Sequence, residues 1–273
     1  MVTDIKQIKD LEKQLIKKFG EDYFPISQEK VRKGITFRST GCLSLDRVLG
    51  KGLPEGRLVE FYGDPSSFKS TLALQCIKAY QQQGLICALI DAECAFDPAY
   101  AKALGVDPER LMILTNLRSA EEYIEGLLMI VEEPYVNLVI LDSVSSLVPK
   151  RIIEGEVGDV TMAVMARYWS THMPQIITSL SKNNNTLLLI NQQRTNLGKY
   201  GTPSDPTGGN ALKFYKSVSM YVKREAPVKE NGKEVGVSVK LTVKKTKVGG
   251  HSRPCAWIRR HGPRHRRLDY LGI

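Results

Sequence analysis

The sequence has no long apolar run. No stretch of about 18 apolar residues occurs in its 273 residues, so a membrane-spanning helix is not expected. It also lacks a short apolar stretch near the N-terminus of the kind that directs secretion. The five cysteines are dispersed and form no C-x-x-C pair, which is typical of reduced thiols. The lack of a membrane span and of a secretion signal, together with reduced thiols, predicts a cytoplasmic protein. We also find no internal repeat.

Acidic residues are too few to balance the basic ones, and the net charge is +10. This excess favours a polyanionic partner such as nucleic acid, although a basic protein without one has the same composition. Residues 251–273 hold six Arg, one Asp and no Lys, a balance of +5, while residues 1–250 are rich in lysine. This tail is either a basic extension that binds nucleic acid or an out-of-frame or truncated end. The abrupt change of composition favours the second explanation.

The apolar pattern predicts an α/β fold. Residues 4–19 have helical spacing up to Gly20, and residues 20–40 are typical of a linker. Short apolar strands then alternate with helices, which indicates a mostly parallel central sheet with helices on both faces. Ser119 and Glu122 form a capping box, and Pro174 is expected to kink its helix. The predicted strands are 57–62, 85–90, 137–141, 186–190, 218–222 and 237–243, and the predicted helices of this core are 71–80, 120–132 and 162–182.

A phosphate-binding loop is predicted between the first core strand and the helix that follows. Such a loop presents backbone N–H groups and a helix N-terminus to phosphates. Its lysine neutralises the β- and γ-phosphates, and the hydroxyl of the residue after the lysine binds Mg²⁺. Lys69 and Ser70 take these two roles, which predicts ATP and Mg²⁺ as ligands. The loop consists of Gly63, Asp64, Pro65, Ser66, Ser67, Phe68, Lys69, Ser70 and Thr71.

Phe68 departs from this loop pattern because a glycine usually precedes the lysine. We expect the phenylalanine to be tolerated only if its backbone keeps a negative φ and its ring points away from the phosphates. A chance strand–turn–helix that happens to contain a lysine stays open as an alternative.

Two acidic residues follow predicted strands that end at the same edge of the sheet. Asp142 ends the strand 137–141 and fits the Mg²⁺ site of a P-loop ATPase, although a helix cap after a strand is the ordinary role of such a residue. Glu93 follows the strand 85–90. Because parallel strands deliver their carboxyl ends to one crevice, Glu93 is expected beside Lys69, where a carboxylate can activate the attacking water.

Several longer segments resemble the RecA family of recombinases, in the order that the family has them. The resemblance implies a RecA-like P-loop ATPase core at 39–250, preceded by a protomer-contacting helix and linker at 1–38 and followed by the tail at 251–273. Phe68 is similar to bacteriophage members, which implies a bacterial cell or an infected host. The segments are 39–71, 90–106, 138–150, 154–162, 191–194 and 207–215.

The resemblance also implies roles for single residues. Glu93 corresponds to the catalytic glutamate, and Asp97 and Tyr100 correspond to adenine contacts. Gln192 corresponds to the glutamine that senses the γ-phosphate and links it to the DNA loop. Lys245 and Lys247 correspond to lysines that reach the ATP of the neighbouring subunit; without the family, a solvated basic strand end is the simpler interpretation.

Two segments resemble the DNA-binding loops of the family: a first loop at 154–162 and a second loop at 195–209. Their small residues and backbone amides suit contact with phosphates irrespective of base sequence, and an apolar tip suits insertion between bases. Pro174 stands where the family has a DNA-contacting arginine, and the second loop is one residue shorter. The candidate DNA contacts are Met162, Leu197, Arg167, Arg194, Gly208, Gly209 and Asn210.

The resemblance implies an ATP-dependent recombinase. Its expected partners are single-stranded DNA, then duplex DNA, and further copies of the chain in a helical filament. A ring helicase of the same fold and a non-catalytic DNA-binding paralogue are the alternatives. The N-terminal helix and the segments 154–159 and 207–215 argue against the first. The presence of Lys69, Glu93, Asp142 and Gln192 argues against the second.

Overall fold

The computed structural model describes residues 5–20, 34–155, 161–193, 208–249, 254–260 and 269–271. The chain divides into two units, Met1–Thr36 and Phe37–Ile273. In the first unit, helix α1 (Ile5–Phe19) ends at Gly20, whose N–H donates to the Ile16 carbonyl at 2.7 Å. The prediction of a helix over 4–19 with a stop at Gly20 is confirmed.

The second unit alternates strands with helices, as the apolar pattern predicts. Its strands are β1 (Phe37–Arg38), β2 (Leu53–Pro54), β3 (Leu58–Gly63), β4 (Ile86–Asp91), β5 (Leu111–Thr115), β6 (Val136–Asp142), β7 (Thr186–Gln192), β8 (Val218–Glu230), β9 (Lys233–Thr246), β10 (Pro254–Arg260) and β11 (Asp269–Leu271). Its α-helices are α2 (Leu43–Leu49), α3 (Lys69–Gln82), α4 (Pro98–Leu104), α5 (Ala120–Glu132), α6 (Lys150–Ile153), α7 (Thr161–Asn183) and α8 (Gly209–Tyr215).

Nine of these strands form one sheet in the order β11-β10-β9-β8-β3-β7-β6-β4-β5. The six strands from β8 to β5 are parallel to one another, whereas the pairs β8–β9, β9–β10 and β10–β11 are antiparallel. The predicted mostly parallel sheet is confirmed. The carboxyl ends of β3, β4, β6 and β7 therefore meet at one edge, where ligands bind in open α/β sheets.

A hydrophobic core covers each face of the sheet, because the central strands alternate apolar side chains between two covered faces. Leu72 and Ile77 of α3 lie in the core on one face, together with Phe61 of β3. Trp169 of α7 lies in the core on the other face with Leu58 of β3, and each of these side chains is fully buried.

Local signals explain several helix boundaries. The Ser119 hydroxyl accepts a hydrogen bond from the Glu122 N–H at the start of α5, which confirms the N-cap. The Glu122 carboxylate reaches back to the N–H of Arg118, one residue before the cap itself. Pro174 lies within α7, which continues without a break from Thr161 to Asn183.

Other boundaries differ from the prediction. Helix α3 begins at Lys69, two residues earlier than expected, because the phosphate-binding loop turns directly into the helix. Strands β8 and β9 run on beyond 218–222 and 237–243 as a long hairpin closed at Asn231 and Gly232. Strand β5 was not predicted at all. No helix among the described residues has the length and apolar character needed to cross a membrane.

Candidate nucleotide-binding and DNA-binding site

The loop between β3 and α3 is shaped by its own lysine. Lys69 Nζ donates to the carbonyl oxygens of Asp64 at 2.7 Å and Gly63 at 3.1 Å, and contacts the Ser67 hydroxyl at 3.3 Å. A side chain at Gly63 would place its Cβ 2.1 Å from the Val222 carbonyl oxygen, so only glycine fits there. The loop therefore curls around the ammonium group at the N-terminus of a 14-residue helix.

Phe68 adopts the conformation that the sequence argument excluded. Its φ is 70° and its ψ is 25°, in the left-handed region that a glycine enters freely, so the expectation of a negative φ is wrong. The ring packs against the core on the α3 face of the sheet, and the Arg224 guanidinium lies 5.7 Å from its centroid. The left-handed backbone costs about 1–2 kcal/mol, and burial of the ring acts against this cost.

Lys69 and Asp142 are charged side chains of the site, and the Ser70 hydroxyl lies beside Asp142. Burial raises the pKa of Asp142 to about 6, and the hydrogen bond from Ser70 opposes this shift. Burial lowers the pKa of Lys69, opposed by the negative charges of Asp142, Glu93 and Asp64. The Ser70 hydroxyl and the Asp142 carboxylate are thus hydrogen-bonded neighbours beside a buried cation.

Glu93 is held at the same edge by three side chains. Its Oε1 atom accepts hydrogen bonds from the Ser143 hydroxyl at 2.6 Å and the Ser146 hydroxyl at 3.2 Å, and the Gln192 amide nitrogen lies 3.4 Å away. The Asp142 carbonyl accepts from the Glu93 N–H at 3.3 Å. The three residues predicted to meet here, Glu93, Asp142 and Lys69, are brought together.

Asp97 and Tyr100 line a cleft of about 280 Å³ next to these groups. The Asp97 carboxylate accepts from the Ala99 N–H at 2.8 Å and so caps α4, while the Tyr100 hydroxyl lies 2.9 Å from the Thr71 hydroxyl. The other residues that line the cleft are Ser70, Ala73, Leu74, Ile77, Leu89, Asp91, Glu93, Ala95, Phe96 and Asp142. The lining combines apolar side chains with the carboxylates of Asp91, Glu93, Asp97 and Asp142.

Lys245 and Lys247 contact a helix end and not this cleft. Lys247 Nζ donates to the Phe214 carbonyl at 2.7 Å, and Lys245 Nζ donates to the Lys213 carbonyl at 2.6 Å. Both accepting carbonyls belong to the last turn of α8. Burial lowers the pKa of Lys245, and the positive charge of Lys247 adds to this effect. In this structure the two ammonium groups therefore cap α8.

The two glycines at the start of α8 are required by their surroundings. Gly208 has φ 110° and Gly209 has φ 74°, and a Cβ on Gly209 would lie 2.8 Å from that of Ala166 on α7. The start of α8, with the exposed Asn210, therefore touches α7 beside the exposed Arg167.

The remaining DNA candidates are only partly described. The backbone of Met162 lies in the first turn of α7. Arg194 and Leu197 lie outside the described residues, as do 156–160 of the first loop and 195–207 of the second loop. Their predicted roles stay predictions.

Sequence reasoning missed several residues of the site. Asp91 accepts hydrogen bonds from the N–H groups of Ala95 and Phe96 and so shapes the turn that carries Glu93. Ser143 and Ser146 hold the Glu93 carboxylate. Asp91 ends an apolar strand, which is the same signal that identified Asp142, whereas nothing in the sequence pairs the serines with Glu93.

Comparisons with known proteins agree with this geometry. The model of the RecA N-terminal domain matches residues 6–256. The chain is 42% identical over 254 residues to Protein RecA of Sulfurovum sp., an alignment that covers 91% of this chain and 73% of the relative. It is 43% identical over 253 residues to Protein RecA of Helicobacter hepaticus, and that alignment covers 90% of this chain and 73% of the relative.

Among solved structures, the RadB recombinase has a similar fold. The TM-score is 0.63 at 21% identity, and the alignment covers 86% of this chain and all of the RadB chain. At this identity the likeness shows the α/β fold alone. The family model and the Protein RecA relatives carry the assignment further: the chain belongs to the RecA family and is a RecA-type recombinase of DNA recombination and repair.

Proposed function

We propose that this recombinase binds and hydrolyses ATP with Mg²⁺, assembles as a filament on single-stranded DNA, and exchanges strands with duplex DNA. The observation that carries the proposal is the meeting of Lys69, Ser70, Asp142, Glu93 and Gln192 at one edge of the sheet. Lys69 and Ser70 begin the helix after β3, Glu93 lies in the turn after β4, and Asp142 and Gln192 end β6 and β7. A binding paralogue without catalysis has no need of a carboxylate positioned as Glu93 is.

The residues present fit a magnesium nucleotide. The loop offers backbone N–H groups at a helix N-terminus, and Lys69 supplies the positive charge that phosphates need. Ser70 and Asp142 are hard oxygen ligands already in contact, and Mg²⁺ commonly takes only one or two protein ligands besides phosphates and water. When bound, Mg²⁺ neutralises charge on the phosphate oxygens. Asp97 and Tyr100 would bind the base at the cleft.

Glu93 would act as the group that orients and activates the attacking water. The Ser143 and Ser146 hydroxyls donate to its carboxylate and so hold it at the edge of the sheet where a base is required. Gln192 would exchange its contact with Glu93 for a phosphate oxygen. An amide suits this exchange because it is donor and acceptor at once.

Assembly and DNA binding would complete the site. Arg167, Arg194 and the amides of Gly208, Gly209 and Asn210 would bind phosphates, while Met162 and Leu197 would contact bases. Lys245 and Lys247 would leave the end of α8 and reach the nucleotide of the next subunit, as a cation supplied in trans does elsewhere. The segment 1–38 would join neighbouring subunits, 39–250 would be the ATPase core, and 251–273 would be a separate basic tail.

The test of this proposal is ATP hydrolysis by the purified chain with and without single-stranded DNA, at several protein concentrations. We expect hydrolysis that requires Mg²⁺ and rises with DNA and protein concentration together. Lys69→Ala serves as the control and should abolish tight ATP binding. Hydrolysis by the parent that is equal with and without DNA, or equal in Lys69→Ala, would contradict the proposal.

A further inference from the structure

A buried ion pair joins strand β3 to the residue that follows α8. Lys216 Nζ lies 2.6 Å from Glu60 Oε2, and the two side chains are 8% and 1% exposed. The same carboxylate oxygen accepts from the Ser219 hydroxyl at 2.7 Å, and Glu60 Oε1 accepts from the Asn191 amide at 3.2 Å. Both carboxylate oxygens are therefore satisfied.

This network is not explained by stability alone. Burying two charges costs solvation that their attraction only partly returns, and apolar residues of the same volume are often as stable. None of the four side chains belongs to the proposed nucleotide or DNA site. A fully satisfied polar network does, however, fix one relative arrangement of the elements it joins.

One end of the network reaches Gln192. The Asn191 side-chain oxygen accepts a hydrogen bond from the Gln192 N–H at 2.9 Å, and the Gln192 side chain in turn contacts Glu93. In the sheet, Glu60 pairs with Ser219, and Asn191 pairs with Tyr62 two residues along β3. Side chains two residues apart share a face of a strand, so these groups lie on one face of the sheet.

The other end of the network reaches α8. Lys216 is the C-cap residue of this helix, and its N–H donates to the Leu212 carbonyl at 3.2 Å. Helix α8 begins at Gly209, where the second loop ends. The last turn of α8 also receives the ammonium groups of Lys245 and Lys247. The network thus connects the strand end that carries Gln192 with the helix that follows the second loop.

We propose that Glu60, Asn191 and Lys216 are positioning residues that transmit a displacement of Gln192 to α8 and so make DNA binding depend on the bound nucleotide. The inference rests on the proposed function, in which Gln192 contacts a phosphate of ATP. The three residues contact neither nucleotide nor DNA. They keep β7 and α8 in one arrangement, so that a displacement of Gln192 also displaces α8.

The test compares the affinity for a fluorescent single-stranded oligonucleotide in ADP and in a non-hydrolysable ATP analogue. Coupling between two sites is usually about 5–150-fold, and we expect a ratio of that size for the parent. The double variant Glu60→Gln/Lys216→Met removes both charges together and so leaves no unpaired buried ion. We expect it to bind the ATP analogue as the parent does. Its DNA affinities in ADP and in the ATP analogue should differ by no more than about twofold.

Asn191→Ala provides a second variant in case the double variant fails to fold. It removes the hydrogen bonds that Asn191 makes with Glu60 and with the Gln192 N–H, adds no charge, and should lose the same coupling. Lys216→Arg keeps the pair and should retain the coupling. The matched control is Asn185→Ala, which removes another fully buried amide at the opposite end of β7 and should keep the parent ratio.

The outcomes separate the two proposals. A folded double variant or Asn191→Ala that keeps the parent ratio overturns the positioning role. A parent that binds no ATP analogue, or binds DNA equally in both nucleotides, contradicts the proposed function instead. Loss of coupling in Asn185→Ala would also overturn the inference, because any buried polar change would then have the same effect.

Discussion

The Gln192 amide nitrogen lies 3.4 Å from Glu93 Oε1, so the end of β7 contacts the carboxylate that follows β4. Gln192 and Glu93 are 99 positions apart in the chain. The Ser143 hydroxyl donates to the same Glu93 oxygen that the Gln192 amide contacts. A ligand that attracts the Gln192 amide would therefore also change the environment of Glu93. This contact places the predicted catalytic group and the predicted sensor in a single hydrogen-bonded cluster.

Glu93→Gln should stop ATP hydrolysis and leave ATP binding intact. The amide keeps the size of the carboxylate and can still accept from Ser143, but it cannot take a proton from water. Binding of a fluorescent ATP analogue and steady-state phosphate release measure the two properties. A variant that turns over ATP at the parent rate would show that the catalytic role belongs to another residue.

Among variants of Phe68, the stability of the fold should depend on whether the new residue tolerates a left-handed backbone. Phe68→Ala loses the ring and keeps the left-handed strain, whereas Phe68→Gly loses the ring and relieves the strain. Urea unfolding should therefore find the glycine variant more stable by about 1 kcal/mol. The control is the same pair at the exposed Gln83, where φ is −88° and alanine should be the more stable residue. Equal stability of the two Phe68 variants would contradict the strain.

Asp142→Asn should stabilise the chain more at pH 7 than at pH 4. Burial raises the pKa of Asp142 from 3.8 to about 6, so between these values the folded chain holds a proton that the unfolded chain releases. The contribution of Asp142 to stability therefore falls as the pH rises through this window and stays low above it. The gain from the neutral asparagine should grow by about 1–3 kcal/mol from pH 4 to 7.

Denaturant unfolding of Asp142→Asn and of the parent across this pH range measures the effect. Glu133→Gln, at an exposed carboxylate just after α5, is the control and should follow the parent curve. A stability difference between Asp142→Asn and the parent that does not change with pH would show that the Asp142 carboxylate is not penalised by burial.

Lys247→Ala should lower DNA-dependent hydrolysis on the order of 10³-fold, since a cation supplied in trans stabilises the developing phosphate charge. Mixing this variant with Glu93→Gln should restore some activity, because some junctions then pair an intact Glu93 with an intact Lys247. The exposed Lys244 provides the control Lys244→Ala, which should behave as the parent. If both variants are inactive alone and their mixture co-assembles without regaining ATP hydrolysis, Lys247 does not act on the nucleotide of the neighbouring subunit.

Arg167→Ala should weaken binding of single-stranded DNA irrespective of base sequence. Each neutralised phosphate releases counterions, so the slope of log affinity against log salt should fall by about one. Lys182→Ala removes an exposed cation from the last turn of the same helix and should leave the slope unchanged. A slope for Arg167→Ala equal to that of the parent would remove this residue from the DNA contacts.

The sequence alone determined the order of the main elements and the edge of the sheet at which the chemistry lies. Apolar runs of four to six residues followed by helical periods are sufficient for this, because parallel strands must be covered on both faces. Asp142 and Glu93 could be placed beside Lys69 for the same reason. The Ser119 cap was also readable, since a cap acts over only three residues.

Only the tertiary structure decided the features that depend on contacts between distant residues. Strand β5 has an apolar run of four residues, 111–114, that was not predicted as a strand. Its place at the edge of the sheet, with Met112 and Ile113 exposed, follows only from its pairing with β4. Phe68 has a positive φ at the position where a glycine is usual, and its ring packs against core residues that are distant in the chain. The pairing of Glu60 with Lys216 spans 156 positions and depends on the order of strands, which hydrophobic periodicity does not specify.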